Sequence, residues 1–141
     1  MNESGEGGED LLAEVTALLY GDGTYMMGFS SGIQDAEAVA NARFSDKPFC
    51  VVRAWRIIDV DVEPAYARAL NAAGLEPVIL FAEDVLIHSA GKRAKGDWVR
   101  TTFQRSFTEG FLFETQNTLY VLCGDGLRLS GTARAVLAMR G

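Results

Sequence analysis

The segment Phe113–Gly126, with the sequence FETQNTLYVLCGDG, holds two short runs of strand-forming residues on either side of Gln116-Asn117. A polar pair between two such runs predicts a hairpin with a two-residue turn, because asparagine tolerates the left-handed backbone that this turn requires. The opposing pairs are then Thr115 with Thr118, Phe113 with Tyr120 and Phe111 with Leu122. Since both faces of this hairpin are mainly apolar, we expect it to lie inside a sheet that helices cover.

Around this hairpin, the hydrophobic pattern predicts an α+β fold in a single domain, with a mainly antiparallel sheet packed by about three helices. We expect strands at residues 49–62, 77–88, 98–104, 111–115 and 118–123, and helices at residues 10–20, 64–73 and 132–139. DAEAVANARF indicates a further short helix with Asp35 as its cap, and Thr132 is expected to cap the last helix. Residues 1–8 are predicted to form a flexible, acidic, glycine-rich tail that precedes a domain of residues 9–141.

The strand at residues 49–62 is the longest one predicted, and its alternation suggests one apolar face. The residues on that face are Cys50, Val52, Ala54, Ile58, Val60 and Val62, interrupted by Arg56. The opposite face ends in three acidic residues. The earlier segment TYMMGFSSGIQ is apolar but irregular, so Met26, Met27 and Phe29 belong either to the core or to an interface.

The composition is typical of one soluble globular domain, with 141 residues, a net charge of −6 and a pI near 4.7. This charge disfavours nonspecific binding of nucleic acid. No apolar run is long enough to span a membrane, and the acidic N-terminus is unlike a secretory or transit signal, so we expect a cytoplasmic location. Cys50 and Cys123 lie in apolar runs and are interpreted as buried thiols of a reducing compartment.

The charges are unevenly distributed and predict two candidate contact surfaces. Residues 1–70 have a net charge of −7, whereas residues 71–141 have a net charge of +1. The acidic patch consists of Asp59, Asp61 and Glu63, and the basic strip consists of Arg93, Lys95, Arg100 and Arg105. Three carboxylates on one side of a strand are compatible with Mg²⁺ or Ca²⁺. Acidic residues at an exposed strand end also serve solubility and edge protection, however, so no metal site is predicted.

Candidate catalytic groups are few. His88 is the only histidine, and Ser89 beside it on a strand would point to the opposite face. A catalytic thiol needs an electropositive, partly open site, which the apolar surroundings of the two cysteines do not suggest. The two Gly-Asp-Gly turns lack the lysine or third glycine of a phosphate-binding loop. We therefore predict no catalytic residues and no cofactor.

The segment from Gly96 to Arg128 resembles a known family. A Trp98-Val99-Arg100-Thr101 strand is followed by the hairpin FETQNTLYVL and by a glycine turn. In this order, these elements resemble the closing segment of small proteobacterial and phage proteins that are grouped as a domain of unknown function. The resemblance implies a bacterial or prophage setting and no established activity. By analogy with small acidic proteins of mobile elements, it also implies that the chain occupies a host protein complex, such as a nuclease complex of a defence system.

Together, these observations favour a non-enzymatic, stoichiometric binding protein that engages a protein partner through the acidic patch or the basic strip. One alternative is a small-ligand domain, for an anion or a nucleotide, or a modest enzyme, with a site around Arg100 and Tyr120, because a guanidinium fork holds anionic groups. A second alternative is an acidic mimic of nucleic acid, although the acidic residues do not form long runs.

Overall fold

The computed structural model describes residues 3–43 and 47–139, and within them it has four helices and one curled, mixed sheet of eight strands. The predicted α+β class is confirmed. The helices are α1 (Glu3–Tyr20), α2 (Ile33–Arg43), α3 (Pro64–Ala72) and α4 (Ala133–Ala138). The strands are β1 (Thr24–Met27), β2 (Phe49–Asp61), β3 (Val78–His88), β4 (Val99–Arg100), β5 (Ser106–Thr108), β6 (Leu112–Glu114), β7 (Leu119–Leu122) and β8 (Asp125–Thr132).

Strand β2 is the centre of the sheet. β3 runs antiparallel along one of its edges, and the other edge is shared by β7 and β8, which both lie parallel to it. β7 pairs with residues 49–52 and β8 with residues 56–61. β1 continues the sheet beyond β8, β6 and β5 continue it beyond β7, and β4 pairs with β3. Among the described strands every other pairing is antiparallel, so the parallel character comes from β2 alone.

The predicted hairpin is confirmed, with Phe113 paired to Tyr120 and Leu112 to Val121. The Thr115 N–H donates to the carbonyl oxygen of Thr118 at 2.9 Å, which leaves Gln116 and Asn117 as the exposed turn. The Thr115 hydroxyl also accepts from the N–H groups of the turn, from Asn117 at 3.4 Å and Thr118 at 3.2 Å. The hydroxyl of the buried Thr115 therefore stabilises the turn.

The prediction of a single apolar face on β2 is wrong, because the strand changes face at Ala54. This residue has a φ of +53°, which shifts the alternation of side chains by one position. Before it, Cys50 and Val52 belong to a cluster formed by strand residues alone; after it, Trp55 and Ile57 join that same cluster. Ile58 and Val60 instead pack with Leu18 of α1 and Val136 of α4, on the other side of the sheet.

Two strands in the first and last quarters of the chain are longer or more regular than their sequences suggest. β1 pairs with β8 through residues 24–27. Because side chains alternate along β1, Met26 and Met27 lie on opposite faces of the sheet and differ in burial. Met26 and Phe29 pack against buried clusters, whereas the Met27 side chain is 69% exposed. β8 runs for 8 residues, because β1 and β2 together supply partners along its length.

The helix termini follow the predictions in part. Thr132 caps α4, accepting from the Ala135 N–H at 3.2 Å. Asp35 lies in the first turn of α2 rather than at its cap, since that helix begins at Ile33. α1 begins at Glu3, within the segment predicted as a tail; residues 1–2 lie outside the described part, and flexibility of residues 3–8 stays a prediction. Within residues 3–43 and 47–139, no helix has the length and apolar character needed to cross a membrane.

We expect Ala54→Gly to raise the free energy of unfolding by about 0.5–1 kcal/mol, because glycine adopts a positive φ without the steric cost that alanine carries. The matched control is Ala69→Gly on the exposed face of α3, which we expect to lower it by about 1 kcal/mol. Denaturant unfolding of the two variants measures both effects. If Ala54→Gly lost as much stability as Ala69→Gly, the strained backbone at this position would be contradicted.

Candidate functional site

A groove of about 830 Å³ lies between α3 and α4, over the end of β2. Its floor includes Ile79 of β3 and Val136 of α4, and its lining is mostly apolar. The segment that follows β4, through Phe103, closes one side. Four separate parts of the chain thus form one concave surface.

Large apolar side chains remain exposed around this groove. Tyr66 of α3 is 51% exposed and packs edge-on against Phe103, with 6.2 Å between the ring centroids. Leu137 of α4 is 68% exposed on the opposite wall. Water contacts this apolar surface in the isolated chain, and burying it against another molecule would be favourable.

Two members of the acidic patch line this groove. Asp61 is the last residue of β2, and Glu63 immediately precedes α3 without capping that helix through its side chain. Neither carboxylate has a hydrogen bond or ion pair with any residue in the described ranges. Both are exposed, so their charges are available to a molecule that enters the groove.

The third member, Asp59, is already neutralised within the fold. Arg128 of β8 donates to it from two nitrogens, Nε at 2.9 Å and Nη2 at 2.7 Å. This two-point pairing raises the pKa of the Arg128 guanidinium and holds β8 against β2. In the described part of the chain, no three acidic, histidine or cysteine side chains come together as a metal site.

Arg100, from the basic strip, lies at the other end of the groove and binds the C-terminus of α4. Its Nη1 donates to the carbonyl oxygens of Val136 at 2.9 Å, Leu137 at 3.0 Å and Met139 at 3.0 Å. The last carbonyl groups of a helix lack partners within it and carry partial negative charge, which a guanidinium satisfies. The charge of Arg100 is therefore used to hold the groove wall.

The other members of the basic strip lie elsewhere. Arg93 and Lys95 are exposed in the loop between β3 and β4, and Arg105 is exposed beside Glu114 at the start of β5. Of the four basic residues, Arg100 alone lines the groove. The structure thus does not gather the basic strip into that site.

The anion site around Arg100 and Tyr120 is not assembled either. Tyr120 packs with Cys50 and Phe113 in the cluster of strand residues, whereas Arg100 faces α4. Burial raises the pKa of the Tyr120 phenol, and it raises the pKa of the Cys50 thiol to about 12, so that thiol is protonated at neutral pH. His88 is half-buried outside the groove, and burial, with Arg93 and Lys92 nearby, lowers its pKa.

The apolar part of the groove was missed by sequence reasoning. Tyr66, Phe103 and Leu137 lie on a helix, an irregular segment and a short helix, and nothing local distinguishes them from core residues. The exposed side of each element could have been deduced from helical periodicity only with knowledge of which face packs on the sheet.

Comparison with known families identifies a family for most of the chain. The model of a family described as "Domain of unknown function (DUF6957)" matches residues 27–138. The matched range contains every residue of the groove and extends well beyond the segment 96–128 that carries the resemblance. No curated protein and no solved structure matches the chain.

We expect Arg100→Met to lower the free energy of unfolding by about 1.5–3 kcal/mol, the usual range for hydrogen bonds made by a charged group. The last turn of α4 loses its partner in this variant, so denaturant unfolding should show the effect directly. Lys95→Met is the control: it removes an equal charge from an exposed loop, and we expect a change within about 0.5 kcal/mol. Equal effects of the two substitutions would refute a capping role for Arg100.

Proposed function

This chain belongs to the DUF6957 family, whose function is unknown, and we propose that it is a non-enzymatic protein that binds a partner protein through the groove between α3 and α4. In this proposal the partner binds stoichiometrically at one surface, the groove, instead of at either of the two surfaces that the charge distribution suggested. The proposal includes two expectations that come from the resemblance. One is a bacterial or phage setting, and the other is a host defence complex as the partner.

The observation that carries the proposal is the exposure of Tyr66 and Leu137 on facing walls of one groove. These two side chains are 51% and 68% exposed. The centre of a protein interface is usually apolar, with aromatic side chains such as tyrosine among its main anchors, and a polar rim surrounds it. The unpaired carboxylates of Asp61 and Glu63 supply such a polar rim.

A small-ligand site is a second candidate, because the volume of the groove lies within the range of about 300–1,000 Å³ that is usual for ligand pockets. The ligand would be largely apolar, since Arg100 is engaged by three carbonyl groups and the free charges at the groove are negative. An anionic ligand is less compatible with that charge. The mimic of nucleic acid is weakened for a related reason, because Arg128 neutralises Asp59.

We expect Leu137→Glu to abolish capture of the partner from a bacterial lysate while leaving the fold intact, because the substitution adds charge to the apolar wall of the groove but buries nothing. Leu12→Glu is a closely matched control: Leu12 lies on α1 and is 67% exposed, against 68% for Leu137. Pull-downs with the tagged wild type and both variants, quantified by mass spectrometry, compare the two surfaces.

The result is informative in either direction. Loss of the same partner with Leu137→Glu and its retention with Leu12→Glu would support the groove as the contact surface. Retention of every captured protein by Leu137→Glu would refute it. Loss of the partner with Leu12→Glu alone would indicate that the contact surface is the exposed face of α1, where Leu12 lies near Tyr20.

A further inference from the structure

We infer that the groove selects a linear segment of its partner that combines large apolar side chains with lysine or arginine. This inference rests on the proposed function and names the chemistry of the partner. It follows from the charges that remain unpaired at the groove and from their position at one of its ends.

Arg100, the one positively charged residue among the described residues that line the groove, is engaged within the fold, as are two arginines on the neighbouring elements. Arg100 donates to the last carbonyl groups of α4, Arg128 pairs with Asp59, and Arg134 pairs with Glu14 of α1 at 2.8 Å. Asp61 and Glu63 have no such partner in the described part of the chain. The groove therefore offers a guest two free carboxylates, and a lysine or arginine is the complementary group.

The carboxylates lie at a defined end of the groove. Asp61 pairs in register with Thr132, the residue that caps the N-terminus of α4, whereas Arg100 holds the C-terminus of the same helix. α4 has 6 residues and is thus about 9 Å long. An extended guest advances about 3.3 Å per residue, so the basic residue should lie within about three or four residues of the apolar anchors.

This asymmetry also determines which end of the groove receives the basic side chain of the guest. A basic side chain is attracted at the end formed by Asp61 and Glu63, and it meets the guanidinium of Arg100 at the other end. Apolar side chains fit between the two ends, against Tyr66, Phe103 and Leu137. Exposed charges at a rim contribute to selectivity and to salt dependence more than to total affinity, so the apolar anchors supply most of the binding.

The test is a selection from a displayed library of random linear peptides, with the full chain as the target. The wild type should enrich peptides with lysine or arginine within four residues of leucine, phenylalanine or tryptophan. The double variant Asp61→Lys/Glu63→Lys should lose this preference for basic residues. It should also bind the wild-type peptides about tenfold more weakly, the sum expected for two exposed ion pairs of ordinary strength.

The matched control is Asp35→Lys/Glu37→Lys on α2, which changes the same number of charges at the same spacing away from the groove. We expect this control to select the same peptides as the wild type. The wild-type affinity should fall as salt rises, and that of Asp61→Lys/Glu63→Lys should not.

The possible failures are distinguishable. Peptides that lose binding on Leu137→Glu but show no basic preference, or that respond equally to both double variants, would refute the inference and leave the groove as the binding site. A library that yields no binder sensitive to Leu137→Glu would refute a linear segment as the guest, whereas the proposed function is contradicted by a pull-down in which Leu137→Glu retains every captured protein.

Discussion

Trp55 donates its indole N–H to the carbonyl oxygens of Cys123 and Gly124, at 3.1 and 3.2 Å, where the edge of β2 passes from β7 to β8. The chain of β7 and β8 must bend at this point, and a bend in a buried strand leaves carbonyl groups without ladder partners. The buried indole satisfies the carbonyl oxygen of Cys123 and shares that of Gly124 with the Gly28 N–H, which donates to it at 3.1 Å. The left-handed Ala54 on one strand and Gly126, packed directly against the Trp55 ring, on the other make room for that arrangement.

The groove depends on this junction because β8 leads directly into α4. β8 is held to β2 by its ladder and by the pairing of Arg128 with Asp59. Thr132 then ends the strand, caps α4 and donates its hydroxyl to Glu14 of α1 at 2.6 Å. A helix of 6 residues has little stability of its own. Its position therefore comes from the burial of Ala135 and Val136 against the sheet and from contacts at both of its ends, of which Arg100 supplies the second.

The features that the sequence predicted well are those set by neighbouring residues. The hairpin of residues 111–122 follows from the turn pair and the alternation around it, and the cap of α4 follows from a threonine before a helical pattern. The face change at Ala54 could not be predicted, because alanine carries no preference for a positive φ. The extent of β8 was hidden by Gly126 and Gly131, which weaken a strand pattern although each packs closely against a side chain, Trp55 or Leu18.

The candidate site was predicted only in its charges. Asp61, Glu63 and Arg100 were identified, but they were assigned to two different surfaces, and the structure places all three at one groove. Whether an acidic residue stays free depends on what the fold brings to it: Asp59 meets Arg128 from 69 residues away along the chain. No local pattern encodes such a contact. Tyr66 and Leu137 acquire their importance in the same way, by facing each other across the groove.

The parallel pairing of β2 also limits when the sheet can form during synthesis. Phe49 pairs with Leu119, so one edge of the most buried strand waits for a partner that is made 70 residues later. At about 5–20 residues per second, this delay lasts several seconds, during which β3 can cover the opposite edge only. The nascent chain thus exposes an apolar strand edge until β7 and β8 have been made, and α4, the second wall of the groove, follows β8. Until α4 has been made, neither the complete sheet nor the groove exists, so a partner can bind the groove only after that point in synthesis.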